Sequence, residues 1–252
     1  MTDVRIERDG AVLAITFTRP ERRNAITVAM YSALADAIEG AGSDAGVRVI
    51  TIRGEGQDFT AGNDLHDFMS ALPRDSEDIP VWRLLRALAR NTVPIVAAVQ
   101  GNAVGIGTTM LLHCDLVVAD RSARFSLPFV DLGLVPEAAS TLLLPRVAGR
   151  RRAARYLLLA EPFGAEEALD AGIVSHVAGD GELDNAFEQT VSALLAKPPE
   201  ALRLTQGLLR QGNSDEVLER MNLENGHFSE RLKSAEVAEA ITSFFNRKPA
   251  GD

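Results

Sequence analysis

Short apolar runs alternate with helical spacing through the first 180 residues, and helical spacing alone continues beyond them. Val12-Leu13-Ala14-Ile15-Thr16-Phe17 follows Asp9-Gly10, a hairpin signal, so two opening strands are expected, ended by Arg19-Pro20. Thr27 is placed to cap a helix in which Met30, Leu34 and Ile38 fall at i, i+4 and i+8 on one face, with Gly40 and Gly42 closing it. Residues 47–52, 94–99 and 116–119 read as strands, with a helix around 82–89. Residues 66–80 mix polar and apolar positions with two prolines and read as a mobile segment. Strands that are apolar on both faces and separated by helices argue a largely parallel sheet buried between layers. Past residue 180 helices are expected over 183–196, 199–210, 215–232 and 235–245, joined by short Pro, Gly or Asn breaks. The fold class expected is α/β, a spiral body over residues 1–195 followed by an all-helical C-terminal region over 196–252.

Composition bounds the partners. Within 252 residues, 26 Lys+Arg stand against 35 Asp+Glu, a formal net charge of −9. Nucleic acid is therefore not an expected partner, because phosphate binding draws on counterion release to a basic face. An anionic ligand would have to be held by a few local cations and backbone N–H groups. A single cysteine, Cys114, forbids an intrachain disulfide framework and a cysteine-rich zinc site. The start, MTDVRIERDG, is charged at once and is not a signal peptide. No apolar run approaches the ~20 residues that a membrane span needs. The expectation is a cytoplasmic protein without a membrane partner.

The common catalytic templates are absent. There is no G-x-x-x-x-G-K-[ST], the spacing of Gly101, Gly105 and Gly107 is not G-x-G-x-x-G, and no G-x-S-x-G elbow occurs. His66, His113, His176 and His227 are scattered. His113-Cys114-Asp115 suggests ligands, but consecutive residues point in different directions, so packing is the better reading and no metal is expected. Two glycine-rich loops remain, residues 59–65 and 101–107, each after a strand and before a helix. Such loops allow two backbone N–H groups to converge on one developing oxyanion. Taken alone, the glycine spacing fits tight turns equally well.

Five segments in order make the pattern specific. They are Arg19-Pro20-Glu21-Arg22-Arg23-Asn24-Ala25, Phe59-Thr60-Ala61-Gly62-Asn63-Asp64-Leu65, Gly101-Asn102-Ala103-Val104-Gly105-Ile106-Gly107, Cys114-Asp115-Leu116 running to Pro128, and Gly133-Leu134-Val135-Pro136-Glu137. Together the chain resembles the crotonase superfamily, the enoyl-CoA hydratase/isomerase group, across roughly residues 5–180, and the end of the chain is similar to that family's terminal helix. The resemblance implies a spiral of ββα turns, a helical tail used in homotrimer or hexamer contacts, and acyl-CoA thioester substrates, with coenzyme A part of the substrate and no separate cofactor. It assigns the two oxyanion N–H donors to Asn63 and Ile106, the adenine-lining stretch to Ala61, Asp64 and Leu65, and the CoA phosphates to Arg22 and Arg23. Ordinary surface charge explains those two arginines equally well.

The acid/base residue decides the reaction. The resemblance places the two hydratase glutamates where this chain has Thr109 and, after Pro128, Phe129. Water addition wants one group to activate water and another to supply the α-proton, so hydration is disfavoured. Glu137 stands instead before the apolar run 138–144, where a greasy pocket would raise its pKa and a helix N-terminus would lower it. Apart from the family it would read as a helix-start carboxylate. Within the family its position is similar to the single catalytic Glu of the Δ3,Δ2-enoyl-CoA isomerases. Asp131 is the reserve second carboxylate, Ser140 and Thr141 read as packing or capping, and Trp82, Phe68 and Met69 either cover an acyl channel or fill core. The competing readings are a hydratase or other crotonase reaction, a serine peptidase of the same fold (which would want Ser near Thr108-Thr109), and a non-catalytic acyl-CoA-binding paralogue. The tail's apolar residues Leu218, Met221, Leu223, Ile241, Phe244 and Phe245 are expected to bury a subunit interface.

Overall fold

The opening hairpin sets the edge of the main sheet. In the computed structural model, which describes residues 3–67, 79–210 and 214–246 with the side chains of 244–246 excepted, β1 (Val4–Asp9) pairs antiparallel with β2 (Val12–Phe17) around Gly10. The chain continues through α1 (Val28–Ser43), β3 (Val49–Gly54), α2 (Pro80–Arg90), β4 (Ile95–Val99), β5 (Asn102–Val104) and the single turn α3 (Ile106–Thr109). Then come β6 (Leu116–Asp120), β7 (Arg124–Ser126), α4 (Ser140–Ala148), α5 (Arg150–Leu158), β8 (Phe163–Gly164), α6 (Ala165–Asp170) and β9 (His176–Ala178). Four helices follow, α7 (Leu183–Leu195), α8 (Pro199–Arg210), α9 (Ser214–Leu232) and α10 (Ala235–Asn246).

Nine strands form two sheets among the described residues. The large one runs β1-β2-β3-β4-β6-β9 and is parallel from β2 onward; the small one runs β5-β7-β8. Consecutive strands β4 and β5, and again β6 and β7, divide between the two sheets, which is the repeating turn of a ββα spiral. The three-residue strands of the small sheet are too short to show a period of two, so only the large sheet is visible as a pattern in the sequence. Strands β3 and β4 are buried on both faces. On one face Val49, Val96 and Ala98 meet Phe187 of α7, and the main core fills the other. A side chain such as Phe187, once buried, contributes about 1.5–3 kcal/mol.

Helix α1 differs from its sequence signals at one end only. Thr27 Oγ1 caps it by accepting from the Met30 amide at 3.3 Å, and Met30, Leu34 and Ile38 are buried. It does not stop at Gly40 but runs to Ser43. Two interior glycines weaken a helix by about 1 kcal/mol each, but α1 packs along α2 and buries Ala41 at this end, so tertiary contact overrides propensity. Trp82 is core: it is buried and meets Phe228 of α9 edge-on, with ring centroids 5.5 Å apart. Phe68, Met69 and most of the 66–80 segment lie outside the described residues, as do the side chains of Phe244 and Phe245.

The tail corrects one expectation. Met221 and Ile241 are buried within this chain, and Leu218 packs against its core, because α9 and α10 dock on the body rather than standing off it. Among the described residues, the large apolar side chains that the tail exposes are Leu204, Leu208, Leu209 and Leu223. Among the described residues, no helix is long and apolar enough to cross a membrane.

Candidate active site

The two glycine loops leave the ends of parallel strands β3 and β4 and are stitched edge to edge. The Thr60 amide donates to Asn102 O at 2.9 Å and the Val104 amide to Thr60 O at 3.1 Å. On its other side the first loop is held by the segment before α1: Ala61 N donates to Arg23 O, Ile26 N to Gly62 O and Asp64 N to Ile26 O, at 2.8–2.9 Å. Asn24, fully buried, braces that segment by donating from Nδ2 to the carbonyls of Glu55 and Asp58. Gly62 sits at φ +84°, where a Cβ would stand 2.7 Å from Val104 O, so only glycine allows the loops to touch.

This stitching leaves two amides over. Neither Asn63 N–H nor Ile106 N–H donates to any group among the described residues. For Ile106 the cause is simple: it opens α3, and the first N–H groups of a helix have no intrahelical acceptor. Each follows a glycine of positive φ, Gly62 at +84° and Gly105 at +55°. Both residues line one cavity of about 520 Å³. Arg22, Arg23, Ala61, Asp64 and Leu65 line it too, with both arginines exposed. Asp64 is held by Arg19, whose Nη1 lies 3.2 Å from Oδ2. Burial works against its ionisation, but the Asp67 amide and Arg19 win, and its carboxyl lies below the ordinary range. Glu21 and His66 also line it, and an apolar stretch of wall comes from Phe129 and Leu134 of the body and Phe228, Leu232 and Ile241 of α9 and α10.

Glu137 does not line this cavity. It lies deeper, one helical turn past Ile106 along α3, where Thr109 Oγ1 donates to its Oε1 at 2.6 Å. Its carboxyl is 4% exposed. Burial raises its pKa, the Thr109 hydrogen bond opposes this, and the nearby Glu224 carboxylate adds to the rise; the result is about 7. Tyr31, fully buried on α1, is a neutral neighbour, since burial and the charges of Glu137 and Asp67 push its phenol well above the usual range. Its hydroxyl donates to Asn63 Oδ1, which links the carboxylate's surroundings to the first loop.

Local backbone aims Glu137. Ala138 and Ala139 both lie in the left-handed region, at φ +62° and +54°, a conformation disfavoured for L-residues by roughly 1–2 kcal/mol each. His113 holds the turn by donating from Nε2 to Ala138 O at 2.8 Å. Burial lowers the imidazole's pKa to about 4, the Ala138 carbonyl opposing and Arg210 assisting, so the ring is neutral near pH 7. Asp131 is exposed on the short 3₁₀ helix Val130–Leu132 and is not brought to Glu137. Cys114 is pushed up to about 12 by burial and by Asp115, which keeps it a thiol.

Sequence reasoning gave no role to Tyr31 or Asn24, read His113 only as packing, and placed Ile241 at a subunit interface rather than on the cavity beside Phe228 and Leu232. Asn24 left a trace within the Arg19–Ala25 motif, where no apolar period explains it. Tyr31 is buried and reads as ordinary helical core, and so do Phe228, Leu232 and Ile241, because the face they turn to the cavity is the face that would otherwise meet a core.

Comparison with known proteins places the fold in a family. Residues 7–251 match the model of a family described as enoyl-CoA hydratase/isomerase. The chain is 34% identical to enoyl-CoA delta isomerase 2 of Rattus norvegicus, covering 97% of this chain and 63% of that protein. It is 32% identical to 2,3-dehydroadipyl-CoA hydratase of Escherichia coli K12, covering 98% and 97%. Its backbone superposes on a crystal structure of an enoyl-CoA hydratase/isomerase from Pseudoalteromonas atlantica T6c with a TM-score of 0.93, at 39% identity over the whole of both chains. With its ββα spiral, its helical tail and two unengaged amides on adjoining glycine loops, the chain belongs to the enoyl-CoA hydratase/isomerase family.

Proposed function

We propose that this enzyme is a Δ3,Δ2-enoyl-CoA isomerase with Glu137 as its only acid/base. The observation that carries the reading is the buried Glu137 carboxyl, bonded to Thr109 on the α3 turn whose first amide is unengaged and pushed by burial up to about 7. Abstraction of a C2 proton by the Glu137 carboxylate drives electrons onto the thioester oxygen, which the N–H groups of Asn63 and Ile106 hold as an oxyanion. The dienolate then takes the same proton at C4, leaving the double bond between C2 and C3 and the carboxylate regenerated. One group suffices because proton removed and proton delivered balance. A pKa near the working pH suits both roles. Each oxyanion donor lowers the barrier by about 2.7–4 kcal/mol, on the scale of donors in other enzymes.

Hydration would need a second acid/base group. Thr109 is a hydroxyl engaged with Glu137, and Phe129 is a hydrocarbon wall. The other buried carboxyl nearby, Glu224, is engaged with Thr141. Arg22 and Arg23, exposed at the cavity, suit the CoA phosphates, and the apolar wall suits the acyl chain. The exposed leucines of α8 and α9 support assembly as a homotrimer or a dimer of trimers. Separate incubation with 3-hexenoyl-CoA and 2-hexenoyl-CoA tests the reaction: the first gives 2-enoyl product and the second no 3-hydroxyacyl product. Brisk hydration of 2-hexenoyl-CoA refutes it. Light scattering at micromolar concentration tests the assembly, and a monomer refutes that part.

A further inference from the structure

Helix α4 begins three residues after Glu137, and its own N-cap residue, Ala139, has no side chain able to cap it. The cap comes from the tail. Glu224 of α9, 83 residues along the chain, takes the Thr141 amide at 3.0 Å and the Thr141 hydroxyl at 2.5 Å on Oε1. The Ala139 amide also faces it, and Arg220 Nη1, one turn earlier on α9, donates to Thr141 Oγ1 at 3.1 Å. Glu224 is buried, and its Oε2 has no hydrogen-bond partner among the described residues. A buried carboxyl with an unsatisfied oxygen is expensive, and packing alone would favour an apolar residue here. Its three donors all belong to the turn and first residues that follow Glu137.

We propose that Glu224 is a positioning residue for the reaction: from the helical tail it clamps the left-handed Ala138–Ala139 turn that aims Glu137, and it presents its charge to that carboxyl. The assignment of a catalytic consequence rests on the isomerase reading above. Several elements bring ionisable groups to this site: Tyr31 from α1, His113 from the 3₁₀ turn Met110–His113, and Glu224 with Arg220 from α9. Burial pushes the Glu224 carboxyl up as well, against the Thr141 and Ala139 donors and Arg220. Tyr31 and His113 are neutral near pH 7 and Arg220 is turned to Thr141, so Glu224, once ionised, is the group whose charge opposes ionisation of Glu137. The tail thereby acts on the chemistry through the α4 N-terminus, besides walling the cavity.

Glu224→Gln separates charge from shape, since its amide oxygen still accepts from Thr141 and its NH₂ replaces an oxygen that already lacks a partner. The readout is ¹³C NMR of protein labelled at glutamate carboxyls, with the Glu137 signal assigned by its loss in Glu137→Gln. The Glu137 midpoint, about 7 in the parent, falls in Glu224→Gln, and the acid limb of kcat/KM moves with it. Glu224→Ala, which removes the clamp, lowers kcat by about 10- to 100-fold with KM within about twofold, the signature of a misaimed group. An unmoved Glu137 midpoint in Glu224→Gln, or a wild-type kcat in Glu224→Ala, overturns the proposal. Failure of the isomerase reading looks different: Glu137→Gln then turns over normally, and the NMR midpoint still decides whether Glu224 acts on Glu137.

Discussion

The two halves of the site are built in opposite ways. The oxyanion loops are backbone structures, held by main-chain hydrogen bonds between neighbouring segments, and they present amides that no side chain defines. The Glu137 half is a side-chain structure: a strained two-alanine turn held by His113, Thr109 and Glu224, which come from the 3₁₀ turn, α3 and the tail. On the proposed reading the first half holds the oxyanion and the second moves the proton.

The sharpest way to break this division is to remove each half's working group. Glu137→Gln keeps size and the Thr109 hydrogen bond but cannot take a proton, so turnover falls about 10²–10⁴-fold while affinity for a CoA thioester is kept. Normal isomerisation in this variant would move the chemistry elsewhere. Asn63→Pro deletes one oxyanion donor and lowers kcat by about 10²–10³-fold, and a proline variant of wild-type activity would remove Asn63 from the oxyanion hole.

A pH titration sharpens the side-chain half. The base must be ionised, so kcat/KM rises with pH through a midpoint near 7. The same burial carries a stability signature. Between pH 4.5, where an unfolded glutamate ionises, and about 7, folding holds the proton against the solvent, so the wild type loses stability as pH rises through that window. At about 1.4 kcal/mol per pH unit the loss comes to roughly 3–4 kcal/mol. Glu137→Gln is free of it, and denaturant melts at pH 4 and pH 8 should show the variant's advantage only at the higher pH. An equal difference at both would contradict the raised pKa.

Smaller effects test the backbone half. Asn63→Ala keeps the N–H and so keeps turnover within a few-fold, but it orphans the buried Tyr31 hydroxyl and lowers stability by about 1–3 kcal/mol, read from the same melts. Arg22→Ala and Arg23→Ala each raise KM about two- to fivefold with kcat unchanged, and the effect shrinks with added salt. A KM indifferent to both substitutions would make them plain surface charge.

The same division explains what could be read from the sequence. Gly62 and Gly105 mark the two loops because both need a positive φ, Gly62 with a close approach to Val104 besides, and Thr27 with Met30, Leu34 and Ile38 marks α1 by spacing. The large sheet is visible in its apolar runs. Nothing comparable marks Glu224, which sits on a polar-looking helix and meets its partners 83 residues away. Nor does the left-handed turn at Ala138 and Ala139 announce itself, since alanine is a helix former and its conformation here is imposed by tertiary contacts. The β5-β7-β8 sheet escapes for want of length.

The central claim is that one carboxyl carries the proton from C2 to C4. Incubating 3-hexenoyl-CoA deuterated at C2 with the wild type and with Glu137→Gln, and locating deuterium in the 2-enoyl product by mass spectrometry and NMR, tests it most directly. The account predicts deuterium delivered to C4 by the wild type and product formation all but lost in the variant; 2-enoyl product formed by Glu137→Gln at the wild-type rate would contradict it.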